Sequence, residues 1–368
     1  MRAAILQKPG EAIQILCDVD LPQPRAGEVR VNVKYCGLCQ SDLTVIDGDF
    51  PLTQPIVPGH EAAGIVDAVG AGVTHVQPGD HVVLTPVPPC GTCYYCQRND
   101  YSLCVNSLAI MTNKLLDGST RLVRGGEEIL RGCGVGALAE SIVVPATGAV
   151  KIPQDMPLDL ASILGCAVQT GVGAVLNTAN VEAGATVLIT GLGGIGMSAV
   201  QGARIAGAAI IIAADVNPER LALAKKFGAT HCINPREEDL SNFCMKLTDW
   251  IGMDYVFECA GKAELIELGI QCARAGGTTV SVGSPRYEQQ VNLQHFVMFA
   301  AMGKKLCGCL LGSSNSLYEI PRLVRLWENG LLNLEDMISV RRPLAEINEG
   351  FADLKAGNGI RTVIEIQP

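Results

Sequence analysis

The feature that most constrains this chain is a glycine-rich turn between a short apolar run and a region of helical pattern. Residues 186–196 read TVLITGLGGIG, which places G-x-G-x-x-G after an apolar strand and at the start of a helix. The first glycine permits the tight turn, the second lets backbone N–H groups approach a pyrophosphate, and the third allows close helix–strand packing. The alternative is a glycine-rich turn that holds no nucleotide. In this context the pattern predicts a dinucleotide site formed by Gly191, Gly193, Gly194, Ile195 and Gly196.

An acidic residue stands where the next strand ends. Asp215 lies 19 residues beyond Gly196. A carboxylate at this place accepts hydrogen bonds from the adenosine ribose hydroxyls and repels a 2′-phosphate, so we expect NAD to be preferred over NADP. Arg220 is a basic residue that would soften this preference.

The two halves of the chain differ in pattern. Before residue 153 the sequence consists of short β-rich runs broken by Pro and Gly, and after residue 160 strands alternate with helices. Such alternation predicts a parallel sheet covered on both faces. We predict strands at 29–35, 62–68, 81–85, 186–190, 209–214, 254–258, 278–282 and 362–366, and helices at 194–207 and 218–228. The expected fold is α/β, with a barrel-like first domain and a doubly wound second domain.

Composition limits the range of functions. A chain of 368 residues usually forms two domains, and a net charge of -9 without a basic stripe argues against nucleic acid or an anionic membrane as partner. No signal peptide and no bilayer-spanning apolar run is recognised. The 15 cysteines are therefore expected to be reduced, as in the cytoplasm, and small molecules are the expected ligands.

Four cysteines fall within fifteen residues, at Cys90, Cys93, Cys96 and Cys104. Four thiolates complete a tetrahedron around zinc and leave no open position, which is typical of a structural site. An iron–sulfur cluster is the alternative, but bacterial ferredoxins follow C-x2-C-x2-C with a gap of three and Cys-Pro. Here the gap is seven and Val105 follows, so the spacing favours zinc.

A second set of possible metal ligands is dispersed along the first half. It consists of Cys39, His60 with Glu61, and Cys166. Taken singly, each has an ordinary interpretation, because a lone Cys is usually core filler and a lone His is usually a hydrogen-bonded structural residue. From spacing alone, a catalytic metal site is one hypothesis beside core packing and structural hydrogen bonding.

Taken together, the motifs resemble those of the zinc-containing medium-chain alcohol dehydrogenase family. The likeness includes GHEAAG at 59–64, GDHVV at 79–83, the four-cysteine lobe, the glycine pattern and Asp215, in the family's order and along nearly the whole chain. The resemblance implies a GroES-like catalytic domain at 1–167 with a zinc lobe at 90–104, a Rossmann NAD-binding domain at 168–310, and a return to the catalytic domain at 311–368.

The resemblance also implies roles for residues around a catalytic zinc. It implies that Cys39, His60 and Cys166 bind the ion, with Glu61 nearby, and that Asp42 holds the ligand His through a hydrogen bond. It implies that Ser41 contacts the substrate oxygen.

Further positions concern proton transfer and the cofactor. Thr44 stands where many family members have a proton-relay His, which opens the route of the proton to question. Gln40 replaces a basic residue that often meets the pyrophosphate. Thr170 and Arg361 match residues that contact the cofactor.

The activity implied is reversible hydride transfer between a primary alcohol or its aldehyde and NAD, with two Zn²⁺ per subunit. Apolar residues expected at the pocket, Phe50, Pro86, Leu138 and Leu310, favour a medium-chain, allylic or aromatic alcohol, although all four could be core residues. The long segment between Cys104 and Cys166 resembles that of dimeric members, so a homodimer is expected and a tetramer is possible.

Alternatives remain on the same fold. One is a zinc-free, NADPH-dependent quinone or enone reductase, and another is a non-enzymatic NAD-binding protein. The glutathione-dependent formaldehyde oxidisers of the family carry an acidic residue where this chain has Phe50 and a basic one near Leu108 or Ala109, so we expect a different substrate.

Overall fold

The computed structural model describes residues 1–49, 54–286, 288–293 and 296–367, which form two compact units. The first unit is Met1–Ala167 with Ser314–Pro368, and the second unit is Val168–Ser313. Two separate stretches of sequence therefore build the first unit.

The first unit is rich in short strands before residue 168. These strands are β1 (Ala3–Ile5), β2 (Gln14–Leu16), β3 (Glu28–Gly37), β4 (Ile56–Val57), β5 (Glu61–Val69), β6 (His81–Leu84), β7 (Val123–Arg124), β8 (Glu127–Glu128), β9 (Leu130–Arg131), β10 (Ser141–Pro145) and β11 (Ala149–Lys151). The α-helices are short: α1 (Gln40–Ile46), α2 (Tyr94–Gln97), α3 (Leu108–Thr112) and α4 (Leu158–Ser162).

The second unit alternates helices and strands. In chain order they are α5 (Ala167–Gly173), β12 (Thr186–Thr190), α6 (Gly194–Ala206), β13 (Ile210–Ala214), α7 (Pro218–Phe227), β14 (His231–Ile233), α8 (Leu240–Leu247), β15 (Met253–Glu258), α9 (Ala263–Cys272), β16 (Ala273–Ser281), α10 (Phe296–Ala301) and β17 (Lys305–Gly308). The first unit then resumes with α11 (Ser316–Glu328), β18 (Ile338–Pro343), α12 (Ile347–Ala356) and β19 (Arg361–Glu365).

A mixed sheet organises the first unit. In the described part of the chain its order is β11-β6-β5-β3-β19-β18, and β10 also pairs with β3. Along β3 the side chains of Val29, Val31 and Val33 are buried while Arg30 and Lys34 are less so, which is the period-two pattern of a half-buried strand. The C-terminal β19 lies between β3 and β18, so the end of the chain completes this sheet.

A parallel sheet organises the second unit, in the order β14-β13-β12-β15-β16-β17. Successive strands run outward from β12 on one side and from β15 on the other, so the order reverses between these two strands. Leu188 of β12 pairs with Ile212 and Val256, and all three are fully buried because helices cover both faces. Ligands of such sheets bind where the order reverses, at the carboxyl ends of the strands.

The expected α/β fold class is confirmed, and β12 has the predicted bounds. The main difference is β16, which begins at Ala273 rather than at residue 278. Gly276 and Gly277 resemble a turn in sequence, but Gly276 adopts φ +74° within the strand, and the pairing with β15 shifts register between Met253 and Tyr255. A glycine pair at an irregularity of this kind is continuous with the strand.

No single helix in the described residues is long and apolar enough to cross a membrane. Two consecutive helical segments joined by a bend, Leu158–Gly165 and Ala167–Thr178, are together long and apolar enough to cross one.

Candidate functional site

Four side chains of the first unit converge on one point. One possible ligand atom from each of Cys39, His60, Glu61 and Cys166 lies within 4.8 Å of all the others. Cys39 precedes α1, His60 immediately precedes β5, Glu61 begins β5, and Cys166 follows a short 3₁₀ turn. Two thiols and an imidazole are a donor set that zinc prefers, so the residues fit the ion. The Glu61 carboxylate, expected nearby, offers an oxygen as a fourth possible ligand atom.

The Asp42 carboxylate contacts two of the four residues of this cluster and the backbone next to them. Its Oδ1 accepts from the Gly59 N–H at 2.9 Å and contacts His60 Nδ1 at 3.1 Å, and its Oδ2 accepts from the Cys39 N–H at 3.2 Å. Because Nδ1–H donates to the carboxylate, Nε2 is the nitrogen left to bind a metal. The geometry therefore supports the expected role of Asp42.

Glu61 is paired with Arg361. The guanidinium donates from Nη2 to Glu61 Oε1 and from Nη1 to the Leu38 carbonyl at 3.0 Å, and both side chains are buried. Burial raises the pKa of the Glu61 carboxyl, and the Arg361 charge acts in the opposite direction. Glu61 Oε2 and Arg361 Nε have no hydrogen-bond partner. Arg361 is thus an interior residue, and its contact with a cofactor stays a prediction.

The residues expected to handle the proton lie on α1. Ser41 Oγ is 3.9 Å from Cys39 Sγ, which places this hydroxyl beside the cluster. Thr44 donates its hydroxyl to the Gln40 carbonyl at 3.1 Å, as residues four apart in a helix commonly do. Gln40 itself is exposed. The Thr44 oxygen keeps an acceptor site, and its relay role stays a prediction.

The four-cysteine lobe also closes around a point. Ligand atoms of Cys90, Cys93, Cys96 and Cys104 lie within 4.8 Å of one another, and the sulfurs of Cys93 and Cys104 are 3.9 Å apart. Zn–S bonds of about 2.3 Å give a tetrahedral edge of about 3.8 Å, so the sulfurs fit zinc. Burial alone would raise the pKa of Cys90, but hydrogen bonds from the backbone N–H groups of Thr92 and Cys93 lower it to about 6. Burial raises the pKa of Cys104 to about 12.

In the second unit, the glycine turn lies at the carboxyl end of β12 and leads into α6. A Cβ on Gly196 would approach the Gly191 carbonyl oxygen to 1.8 Å, and Gly191 has φ +84°, so neither position accepts a side chain. A Cβ on Gly193 would meet nothing within 4 Å. The packing thus requires two of the glycines, and the third faces open space where a pyrophosphate fits.

Asp215 does more in the structure than its sequence position suggests. Its Oδ2 accepts from the Leu192 N–H at 2.7 Å and its Oδ1 from the Asn217 N–H at 2.9 Å, which joins the glycine turn to the end of β13. Arg220 Nη1 lies 3.8 Å from the same carboxylate. Thr170, on α5, is buried and its hydroxyl has no partner, which fits a cofactor group that would supply one.

The four residues expected at the substrate pocket lie in different places in the structure. Leu138 is fully buried in the hydrophobic core, Leu310 is partly exposed in the second unit, and Phe50 lies outside the described residues. Pro86 lines a cavity of about 240 Å³ within the first unit, whose walls include the apolar Leu116, Val135 and Val144 and the charged Glu28, Asp117 and Arg121. The catalytic cluster does not line this cavity, so Pro86 is not placed beside the metal ligands. Leu108 is exposed.

Sequence reasoning missed Cys133, which is buried and has φ +51°. Burial lowers the pKa of His60, but the thiols of Cys133 and Cys166 and the Asp42 carboxylate raise it, and the result is well above the usual value. Cys133 thus belongs to the surroundings of the metal cluster. Its position between two glycines, Gly132 and Gly134, was the only signal in the sequence.

Comparison with known families agrees with this geometry. Residues 25–154 match the model described as the alcohol dehydrogenase GroES-like domain, and residues 194–328 match the zinc-binding dehydrogenase model. An S-(hydroxymethyl)glutathione dehydrogenase of Synechocystis sp. is 37% identical, and one of Escherichia coli is 36% identical, each over 99% of both chains. The chain belongs to the zinc-dependent medium-chain dehydrogenase/reductase family.

Solved structures extend the comparison. An alcohol dehydrogenase zinc-binding domain protein from Burkholderia ambifaria has a TM-score of 0.94 and 35% identity, covering 100% of this chain and 99% of the other. Benzyl alcohol dehydrogenase from Acinetobacter calcoaceticus has a TM-score of 0.93 and 30% identity with the same coverage. The protein is therefore an oxidoreductase of the zinc alcohol dehydrogenase type, with sites for a structural and a catalytic zinc and with NAD(H) as the usual cofactor of its family.

Proposed function

We propose that this protein catalyses reversible hydride transfer between an apolar primary alcohol or its aldehyde and NAD, with a medium-chain, allylic or aromatic substrate. The observation that carries the proposal is the cluster of Cys39, His60 and Cys166, oriented by the buried Asp42 carboxylate. A zinc-free reductase would have no use for this donor set, and a protein that only binds NAD would not need it.

The chain's own residues divide the work. When bound, zinc acts as a Lewis acid toward the substrate oxygen. Ser41, beside Cys39, contacts that oxygen and receives its proton. Thr44 is one route onward, since its hydroxyl can accept a proton as it donates to Gln40. Asp42 keeps the His60 ring in one tautomer throughout.

Two relatives point to different substrates. The structural similarity to a benzyl alcohol dehydrogenase supports an aromatic alcohol. The relatives at 36–37% identity support S-(hydroxymethyl)glutathione as a second candidate. Against it, Leu108 and Ala109 offer no positive charge to the glutathione carboxylates, so we favour the apolar alcohol.

Initial rates of NADH formation decide between them. Benzyl alcohol, cinnamyl alcohol and hexanol should exceed S-(hydroxymethyl)glutathione in kcat/KM, and treatment with a chelator should abolish the rate. A higher kcat/KM for the glutathione adduct would reverse the substrate assignment. Turnover that persists after complete removal of zinc would reverse the proposed mechanism.

Cofactor preference is proposed to depend on Asp215. NAD⁺ should exceed NADP⁺ in kcat/KM, because the carboxylate repels a 2′-phosphate. Since Asp215 also accepts from the Leu192 N–H, Asp215→Asn should reduce the preference while keeping an oxygen for that hydrogen bond. Better turnover with NADP⁺ in the native protein would contradict the assignment.

We further propose a cytoplasmic homodimer joined through the sheet edges of the second unit. All 15 cysteines are free, as in a reducing compartment. In the described residues, β17 is an edge strand, and Leu306 on it and Phe296 and Val297 on the preceding α10 are exposed. Light scattering should give twice the mass of 38.8 kDa, and Leu306→Glu should give monomers. Ile251→Glu, at an exposed apolar residue elsewhere, is the control.

A further inference from the structure

A buried carboxylate in the second unit has no role in the chemistry described above. Glu258, the last residue of β15, is fully buried, and burial raises the pKa of its carboxyl. Its Oε1 accepts from the Ala260 N–H at 2.8 Å and from the Lys262 N–H at 3.3 Å, whereas Oε2 has no partner. Burying an unpartnered charged oxygen is costly, so its presence calls for a reason.

The turn that Glu258 holds packs directly on the glycine turn. A Cβ on Gly191 would lie 2.7 Å from Ala260 Cβ and 2.8 Å from Ala260 N, so the two backbones are in contact. The Cys259 N–H also donates to the Thr190 carbonyl at 2.8 Å. The position of Ala260 therefore limits the conformations open to Gly191.

The backbone of Glu258 ties in a third turn. Its carbonyl accepts from the N–H groups of Val282 and Gly283, both at 2.9 Å. A Cβ on Gly283 would come within 2.2 Å of Gly261 N, which shows how closely these turns fit. Turns after β12, β15 and β16 thus meet around Glu258 and the residues that follow it, at the edge where the strand order reverses.

We propose that Glu258 is a positioning residue for the dinucleotide. Its carboxylate fixes residues 259–262 against Gly191, and this contact keeps the glycine turn in the shape that admits the pyrophosphate at Gly193. The inference rests on the proposed dinucleotide site. Ordinary helix capping of α9 would explain the bonds to Ala260 and Lys262 but would not couple them to cofactor affinity.

The test measures NADH affinity by fluorescence titration of the zinc-loaded holoenzyme. In Glu258→Ala the two N–H groups lose their acceptor, and the NADH Kd should rise by about tenfold. KM for NAD⁺ should rise with it, while kcat at saturating NAD⁺ changes by less than about twofold. Glu258→Gln keeps one oxygen in place and should bind NADH within about threefold of the native protein.

Two further variants keep the result interpretable. Thr279→Val, on the neighbouring β16, removes another buried unpartnered oxygen without touching the turns, and its NADH Kd should be unchanged. If Glu258→Ala does not fold, Glu258→Asp decides, because its shorter side chain withdraws the oxygen from the N–H groups while keeping the charge. An unchanged Kd in folded Glu258→Ala or Glu258→Asp overturns the inference alone, whereas native protein that fails to bind NADH overturns the dinucleotide site as well.

Discussion

Arg361 forms a buried ion pair with Glu61, a residue 300 positions earlier in the chain. The pair lies beside the thiols and imidazole of the catalytic cluster, and Arg361 also reaches the Leu38 carbonyl, next to the ligand Cys39. The guanidinium therefore supports the loop that carries one ligand and the carboxylate that adjoins another.

Replacing Arg361 should be strongly destabilising. In Arg361→Met the Glu61 carboxylate is left buried without its cation, and removal of one partner from such a pair costs about 3–5 kcal/mol. Arg2→Met is the matched control, since its partner Glu140 lies at the surface, where an ion pair contributes about 1 kcal/mol or less. Urea unfolding of both variants measures the difference. Equal losses in the free energy of unfolding would show that the buried pair contributes no more to stability than the surface pair.

Asp42 should control metal affinity. Asp42→Asn removes the charge that orients His60, and loss of such a partner commonly weakens metal binding or activity by about 10–100-fold. Zinc affinity can be measured by competition with a chromogenic chelator. Asp47→Asn, at the exposed end of the same helix, should bind zinc as the native protein does.

Two glycines of the dinucleotide turn should respond in opposite ways to alanine. Gly193→Ala meets no protein atom, so the melting temperature should stay unchanged while NADH affinity falls. Gly196→Ala places a methyl group 1.8 Å from the Gly191 carbonyl oxygen, so it should destabilise the second unit. Calorimetry and NADH titration distinguish the two effects. Full NADH affinity in Gly193→Ala would contradict the proposed pyrophosphate position.

The four-cysteine lobe should account for one zinc of the two. Cys104→Ser should lower the zinc content from about two to about one per subunit and reduce the melting temperature, because a closed site with four thiolates contributes to folding. Cys17→Ser, at an exposed cysteine, serves as control and should retain both ions. Elemental analysis of purified protein gives the count, and two ions retained in Cys104→Ser would refute the assignment.

The ion pairs around Arg121 should make stability depend on acid pH. Burial alone would raise the pKa of Asp117, but hydrogen bonds from Ser119 and Arg121 lower it from 3.8 to about 2. Since the folded-state pKa is depressed, this contribution is present above pH 3.8 and is lost as the pH falls toward 2. Asp117 is 44% exposed, so the loss in Asp117→Asn should be about 1 kcal/mol or less at pH 7.

Urea unfolding at pH 7 and at pH 2 tests this sign. The difference between native protein and Asp117→Asn should shrink at the lower pH. Asp155→Asn, at an exposed carboxylate, should show no such trend. A stability difference between native protein and Asp117→Asn that is larger at pH 2 than at pH 7 would contradict the lowered pKa of Asp117.

Local signals made the four-cysteine site and the parallel sheet predictable. The cysteine spacing alone indicated the closed site, and apolar runs gave β12 its bounds. The catalytic cluster was different, because Cys39, His60 and Cys166 are distant in sequence and only the family resemblance connected them. The pairing of Glu61 with Arg361 and the contact of Ala260 with Gly191 arise from sheet register and turn packing, which spacing does not encode. Glu258 had no distinguishing signal, because its acceptor role becomes visible only when the turns are folded.

The position of β19 has a consequence for biosynthesis. Because β19 pairs with β18 and with residues 35–37 of β3, a nascent chain that has only just released Glu61 from the ribosome leaves that part of β3 unpaired and the Glu61 carboxylate without Arg361. Both conditions persist while the 300 residues up to Arg361 are translated. Exposed strand edges favour aggregation, so the emerging first half is the form of this protein that most needs a chaperone.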